Sequence, residues 1–225
     1  PPPLFYNHTP PTPILSGLVG SEMCIRDRNK RSLCLNLKTE QGLKVFMDLV
    51  KKADVVVENF RVDVKNRLGI DYASCKKINP SIIYASISGF GQEGPYAKRP
   101  AVDQVIQGMS GLMKITGEPG RGPMRAGIAV SDTSAGMFLG QGILLALLHR
   151  EKTGEGQWVH TSLLESMLCK LDFQAARYTM TGEIPKQEGN NHPTLSPMGV
   201  FNTCLLYTSP SPRDQRGSRI KAWWW

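Results

Sequence analysis

The chain has 225 residues, 40% of them hydrophobic and 20% charged, and its 27 Lys and Arg exceed its 19 Asp and Glu to give a formal net charge of +8. This composition is typical of a globular protein and excludes disordered, collagen-like and membrane-spanning chains. The basic residues are interspersed with acids and are not clustered with aromatics, so we expect neither a nucleic-acid nor a membrane partner.

Both ends of the chain differ from its middle. Residues 1–28 and 204–225 follow neither a helical nor a strand period, and the first of these stretches is rich in proline. The peptides at 18–28 and 204–214 are compatible with one DNA sequence read on its two strands, and that sequence resembles a sequencing-library adapter. We therefore expect residues 1–28 and 204–225 to be non-native, adapter-derived tails that flank a native region over 29–203.

Between these ends, apolar periodicity and turn residues predict alternating helices and strands. The predicted helices cover 41–52, 62–68, 72–78, 103–113, 132–150 and 163–181, and the predicted strands cover 53–60, 81–88 and 158–162. This order predicts the α/β class with a parallel sheet. The Gly- and Pro-rich loop over 89–100 follows a strand, at the end where open α/β sheets usually bind ligands.

The cysteines of the native region, Cys34, Cys75 and Cys169, are widely spaced and form no C-x-x-C pair. This spacing disfavours a zinc site and a redox pair, so we expect no metal and three free thiols. Free thiols are the default in a reducing compartment. The expected location is therefore the cytoplasm, or the mitochondrion if the source is eukaryotic.

Asp132 lies where an apolar stretch meets the start of a predicted helix. One interpretation makes Ser131 or Asp132 an N-cap, which is a common role for these residue types. The other interpretation is catalytic, because a helix amino terminus stabilises a carboxylate and an ionised, sheltered carboxylate can attack an acyl carbon. Asp103 begins another predicted helix and has the same two interpretations, with the N-cap favoured.

Basic residues such as Lys38 and Arg67 suit a phosphate ligand, although a solvated surface is the simpler interpretation of each. The glycine pattern GFGQEG leads into Pro95 and not into a helix, so it does not predict a dinucleotide site. From the residues alone, the sequence indicates an α/β enzyme fragment with an anion-compatible site.

Several strings of the native region occur together and in order: NKRSLCLNLKTEQG, ADVVVENF, NRLGIDY, INPSIIYASISGFGQEGPYAKRP, AGIAVSDTSAGM, HREKTGEGQWV and GNNHP. In combination they resemble the family III CoA-transferases. The resemblance implies a Rossmann-like parallel sheet with flanking helices that forms an incomplete part of the family's large domain. It implies Asp132 as the catalytic carboxylate and Asp103 as a supporting acid. The positions implied to contact CoA are Leu35, Lys38, Asn59, Phe60, Arg67 and Leu68.

The resemblance also implies an activity, namely transfer of coenzyme A from an acyl-CoA donor to a carboxylic acid through an aspartyl acyl anhydride and an aspartyl-CoA thioester. The CoA thioester is then a substrate, with no permanently bound cofactor, and the full-length enzyme is expected to be an interlocked homodimer. An α-methylacyl-CoA racemase of the same family is an alternative. It needs a histidine base directly before Asp103, where Val102 stands. A non-catalytic CoA-binding relative is the other alternative, against which the presence of Asp132 argues.

Members of the family have longer chains, so we expect the 225-residue chain to be an internal fragment that is inactive and poorly folded by itself. The acyl donor and acceptor stay open in the sequence, because the resemblance implies that absent segments and a partner chain complete the pocket.

Overall fold

The computed structural model describes residues 29–200. The two predicted adapter-derived tails, 1–28 and 204–225, lie outside the described residues. The chain divides into two compact units, Pro1–Phe46 and Met47–Trp225. In the first unit the side chain of Thr39 donates to the carbonyl of Asn36 at 2.8 Å and accepts from the backbone of Gly42 at 3.1 Å, which fixes the turn that leads into the first described helix.

The described residues form three strands and eight helices. In chain order they are α1 (Glu40–Val50), β1 (Val55–Glu58), α2 (Val62–Leu68), α3 (Tyr72–Ile78), β2 (Ile83–Ser88), α4 (Asp103–Met109), α5 (Leu112–Ile115), α6 (Val130–Thr153), β3 (Trp158–Ser162), α7 (Leu163–Lys170) and α8 (Asp172–Thr181). The strands pair in the order β1-β2-β3, and both pairs are parallel. The predicted α/β class with a parallel sheet is confirmed.

Two predicted helices are each divided in the structure. The prediction of one helix over 103–113 is wrong, because α4 ends at Met109 and Gly111, with a left-handed φ of 91°, separates it from α5. The prediction of one helix over 163–181 is also wrong, because α7 ends at Lys170 and α8 begins at Asp172, which has a φ of 49°. Both breaks are single residues with positive φ, which a continuous right-handed helix does not contain.

The central strand β2 forms the core of the sheet. Ile83, Tyr84 and Ala85 are fully buried, as expected for a parallel strand that is covered on both faces. The hydroxyl of Tyr84 donates to the carbonyl of Ile70 at 2.7 Å, so the one polar atom of this buried ring is satisfied. On β3, the side chain of Val159 lies so close to α6 that a Cβ at Gly142 would stand 2.6 Å from its Cγ1.

Helix α6 is apolar on both of its faces. It contacts β2, β3 and α7 on one side, and its other side exposes large apolar side chains, namely Met137, Leu144, Leu145 and Leu148. Among the described residues, it is the one helix that is long and apolar enough to cross a membrane by length and composition. Its contacts with the sheet also give it the place of a core helix in an α/β layer.

Candidate active site

A cavity opens at the carboxyl ends of β1 and β2, where the sequence predicted a ligand site. It measures about 140 Å³, and its lining includes Asn59, Phe60, Ser88 and Arg99. The side-chain amide of Asn59 donates to the carbonyl of Ile87 at 3.1 Å, which holds the loop after β1 against β2. The side chains of Phe60 and Arg99 are exposed, so an aromatic face and a guanidinium are both available to a ligand.

The loop after β2 turns back over the sheet edge within a small space. A Cβ at Gly89 would collide with the Cβ of Ala101, so glycine is required for this close approach. The turn brings the chain to Asp103, the first residue of α4. The loop after β2 thus supplies both one wall of the cavity and the first of the two predicted acidic residues.

Asp103 does not cap its own helix. The N-cap of α4 is Val102, and the carboxylate of Asp103 instead reaches the amino terminus of α6. Its Oδ1 accepts from the backbone N–H of Ser131 at 2.9 Å and from the hydroxyl of Ser131 at 2.6 Å. Its Oδ2 accepts from the side-chain amide of Gln107 at 2.7 Å. The favoured N-cap interpretation of Asp103 is therefore wrong for α4, and the carboxylate satisfies an orphan N–H of a different helix.

This arrangement keeps Asp103 ionised. Burial acts to raise the pKa of Asp103, but hydrogen bonds from Ser131, Gln107 and the backbone of Asp132 outweigh it and hold the pKa below the ordinary value of 3.8. A negative charge is therefore fixed beside the first turn of α6, where the partial positive charge of the helix terminus favours it.

Asp132 lies in the first turn of α6 and is not its N-cap either. That position belongs to Ala129, which makes no side-chain cap hydrogen bond. Partial burial of the Asp132 carboxyl, and then the negative charge of Asp103, raise its pKa above 3.8. A more basic carboxylate is a stronger nucleophile once it is ionised. The residue as a whole is exposed, so among the described residues the carboxyl is only partly sheltered and the expectation of a sheltered carboxylate is met only in part.

The structure brings only some of the predicted CoA contacts together. Asn59 and Phe60 line the cavity. Arg67 and Leu68 lie at the end of α2, where Arg67 is exposed and Leu68 is half-buried. Lys38 is exposed and Leu35 half-buried, and both belong to the unit Pro1–Phe46.

Sequence reasoning missed the residues that hold Asp103 in place. Ser131 and Gln107 are both fully buried and both donate to Asp103. The four-residue spacing from Asp103 to Gln107 on one helix was a usable signal, because such residues share a helix face. No local pattern indicates the bond to Ser131, which lies 28 residues away along the chain.

A second, larger cavity of about 440 Å³ lies between α4–α5 and α7–α8. Its walls are mostly apolar, with Lys114 and Tyr178 among the lining residues, and they contain none of the predicted site residues. We place the candidate active site at the smaller cavity and the amino terminus of α6, because two of the predicted CoA contacts line this cavity and the chain that forms its wall at Ala101 leads directly to Asp103, which bonds to α6.

Within residues 29–200, no group of three His, Cys, Asp or Glu side chains is arranged to hold a metal ion. In the same range Cys34 and Cys169 are exposed, Cys75 is buried, and all three are free thiols. Burial, and then the negative charge of Asp71, raise the pKa of Cys75 to about 11, so this thiol is a poor nucleophile at neutral pH.

These features define an α/β protein with two neighbouring acids at a helix amino terminus beside a strand-end cavity. Comparison with known proteins identifies its class, because residues 20–204 match the model of CoA-transferase family III. The chain belongs to CoA-transferase family III.

Relatives and a solved structure agree with this assignment. The chain is 45% identical to succinate–glutarate CoA-transferase of Agrobacterium fabrum, over 79% of this chain and 44% of the relative. It is also 45% identical to acetyl-CoA:oxalate CoA-transferase of Acetobacter aceti, over 78% of this chain and 45% of the relative. The crystal structure of a CAIB/BAIF family protein from Brucella suis superposes with a TM-score of 0.73 at 42% identity, over 79% of this chain and 47% of that protein. The chain thus spans less than half the length of these proteins.

Proposed function

We propose that this chain carries the nucleophile and part of the CoA site of a CoA-transferase, which moves coenzyme A from an acyl-CoA donor to a carboxylic acid. The observation that carries the proposal is the pair at the amino terminus of α6. Asp103, ionised and held by Ser131 and Gln107, lies beside Asp132, whose pKa is raised by partial burial and then by the charge of Asp103. Asp103 supplies a fixed negative charge, and Asp132 supplies the carboxylate that reacts.

In the first half-reaction a carboxylate oxygen of Asp132 attacks the thioester carbon of the donor. The carbon–sulfur bond breaks, CoA leaves as the thiolate, and a mixed anhydride remains on Asp132. The thiolate then attacks the side-chain carbonyl carbon of Asp132. The donor acid leaves as its carboxylate, and an aspartyl-CoA thioester remains.

The second half-reaction runs these steps in reverse with the acceptor. The acceptor carboxylate attacks the aspartyl thioester and expels the CoA thiolate, which gives a new anhydride. The thiolate then attacks the acyl carbon of the acceptor, so the product acyl-CoA forms and Asp132 returns as a carboxylate. No net proton transfer is needed. Exclusion of water protects the anhydride and the thioester, and we propose that parts of the enzyme beyond residues 29–200 cover the exposed Asp132.

We propose that CoA lies at the cavity at the strand ends, with Asn59 and Phe60 as contacts. Lys38 and Arg67 are basic positions suited to its phosphates, with Leu35 and Leu68 as apolar contacts. CoA is a substrate in this scheme, and the scheme uses no resident cofactor or metal.

Relatives named for succinate–glutarate and for oxalate point to a short dicarboxylic acid as donor acid or acceptor. The racemase alternative gains no support from the structure, because Val102, the position directly before Asp103, is 63% exposed and carries no titratable group. The apolar exposed face of α6 supports assembly with further protein, and we propose that the complete enzyme is an interlocked homodimer. We propose further that it acts in the cytoplasm, without a nucleic-acid or membrane partner.

The proposal is tested with the complete product of the source gene, using succinyl-CoA as donor and glutarate or oxalate as acceptor. Formation of the acceptor's CoA thioester is followed by mass spectrometry. Asp132→Asn is expected to lower kcat at least about 1000-fold, because the amide cannot form the anhydride. The matched control is Asp172→Asn, since Asp172 has a left-handed φ that asparagine also tolerates. Equal activity of Asp132→Asn and wild type would contradict the proposal.

A further inference from the structure

A buried ion pair lies directly beneath the loop that lines the cavity. Glu58, the last residue of β1, accepts from the ammonium of Lys65 on α2 at 2.8 Å, and both side chains are only 3% exposed. The second carboxylate oxygen of Glu58 accepts from the backbone N–H of Phe60 at 2.7 Å. One carboxylate therefore joins a helix to the loop that carries Asn59 and Phe60.

Lys65 has a partner for each of its three ammonium protons. Besides Glu58, it donates to the hydroxyl of Ser86 at 3.2 Å and to the side-chain oxygen of Gln92. Its ammonium also lies 4.9 Å from the ring centroid of Trp158, whose indole N–H donates to the same Ser86 at 2.9 Å. The network therefore includes residues of all three strands, of α2 and of the loop after β2.

Stability alone does not explain such a network. A buried ion pair contributes little to stability compared with an apolar pair of the same volume, because both charges lose their hydration. An ionised acceptor makes a stronger hydrogen bond to a backbone N–H than a neutral one. Because all three ammonium protons of Lys65 are hydrogen-bonded, Lys65 holds the Glu58 carboxylate in place beneath the N–H of Phe60. The feature that an apolar pair cannot supply here is the bond to Phe60.

We infer that Glu58, held by Lys65, is a positioning residue for CoA binding: it fixes the backbone at Phe60 so that Asn59 and Phe60 stand ready for the ligand. This inference rests on the proposed function, because it takes the cavity as the CoA site. Neither Glu58 nor Lys65 needs to touch CoA. Preorganisation of the loop lowers the conformational entropy that is lost when CoA binds. Glu58 therefore affects the affinity for CoA and not the chemical step at Asp132.

Two double variants separate positioning from folding. Glu58→Gln/Lys65→Met removes both charges but keeps an oxygen that can accept from the N–H of Phe60. Glu58→Leu/Lys65→Met has nearly the same volume and removes the acceptor. Both avoid the unpaired buried charge that a single substitution would leave, which is the main cost of breaking a buried ion pair. The complete gene product is used, with circular dichroism as the check of folding.

We expect the Gln/Met variant to bind CoA within about threefold of wild type, and the Leu/Met variant to bind at least about tenfold more weakly with kcat at saturating acyl-CoA almost unchanged. Hydrogen exchange of the Phe60 amide should be slow in wild type and in the Gln/Met variant and fast in the Leu/Met variant. Equal CoA affinity and equal exchange in the two double variants would overturn the inference.

Two further results, a variant that does not fold and a wild type that does not bind CoA, also have a defined meaning. If the Leu/Met variant does not fold, Glu58→Asp, which keeps the charge but shortens the side chain, is expected to raise KM for acyl-CoA several-fold, and an unchanged KM would overturn the inference. If wild type itself binds no CoA, the proposed function fails. Exchange at Phe60 alone then decides whether Glu58 fixes the loop.

Discussion

Replacement of Asp103 by alanine removes the acceptor that joins α4 to α6. In the intact site this carboxylate accepts two hydrogen bonds from Ser131 and one from Gln107, and the backbone N–H of Asp132 also interacts with it. Two of the donors keep other partners, because the Ser131 hydroxyl lies 3.4 Å from the carbonyl of residue 103 and the Gln107 amide lies 3.2 Å from the carbonyl of Ile128. The N–H of Ser131, a fully buried residue, loses its acceptor.

An unsatisfied buried donor costs about 1–3 kcal/mol, and the loss of hydrogen bonds to a charged acceptor increases this cost. We therefore expect Asp103→Ala to lower the free energy of unfolding by about 2–4 kcal/mol. Local opening of the first turn of α6 should become at least about 30-fold more frequent, since 1.36 kcal/mol corresponds to a factor of ten. The control is Glu183→Ala, which removes a partly exposed ion pair to Arg177 and should cost less than about 1 kcal/mol.

The assay is urea unfolding of the complete gene product, combined with hydrogen exchange of peptides that cover α6. The pH dependence gives a second check. Because the pKa of Asp103 is held below 3.8 in the folded state, its contribution is present above that pH and is lost as the pH falls through the folded-state pKa. The difference between wild type and Asp103→Ala should therefore shrink at more acidic pH. A loss no larger than that of Glu183→Ala, or one that is independent of pH, would refute the reasoning.

Three other perturbations test separate contacts. Asp103→Asn removes the negative charge that helps to raise the pKa of Asp132, so the acidic limb of the kcat/KM profile should move to lower pH. Lys65→Met alone leaves a buried carboxylate without its cation and should cost about 3–5 kcal/mol in urea unfolding, more than either neutral double variant. Arg150→Ala removes the guanidinium that donates from α6 to the Asp54 carboxylate at 2.8 Å and to the Asp54 and Ser81 carbonyls, and should cost about 1–3 kcal/mol.

Each of these has a contrary outcome. An unmoved acidic limb in Asp103→Asn would show that Asp103 does not act on Asp132 through its charge. A Lys65→Met protein as stable as wild type would mean that Glu58 reaches solvent or another cation, or that it takes up a proton. No loss of stability in Arg150→Ala would mean that solvent satisfies the two carbonyls equally well.

Much of the fold follows from local patterns. The helices capped by Gly69 and Asn79 and the strand from Trp158 to Ser162 have the predicted bounds, because a cap or turn residue marks each boundary. The breaks at Gly111 and Asp172 were missed, since apolar spacing continues across both positions and the change in φ leaves no periodic signal.

The candidate site, like the fold, could be predicted only in part from the sequence. Local sequence suggested acids at two helix starts, but it could not show that Asp103 serves the helix of Asp132, because that contact depends on the packing of α4 against α6. The pair of Glu58 and Lys65 was missed for a similar reason. A lysine on a short helix is usually exposed, and its burial here depends on Ser86, Gln92 and Trp158, which come from other elements.

The central claim is that Asp132 forms a covalent bond during turnover, and one measurement tests it most directly. The complete gene product is incubated with succinyl-CoA, quenched in acid, digested with pepsin and analysed by mass spectrometry for the peptide that contains Asp132. We expect this peptide to carry the added mass of CoA in wild type, in Asp103→Asn and in Asp172→Asn, and not in Asp132→Asn. An active enzyme whose Asp132 peptide is never modified, or one that forms the same adduct after Asp132→Asn, would contradict the account.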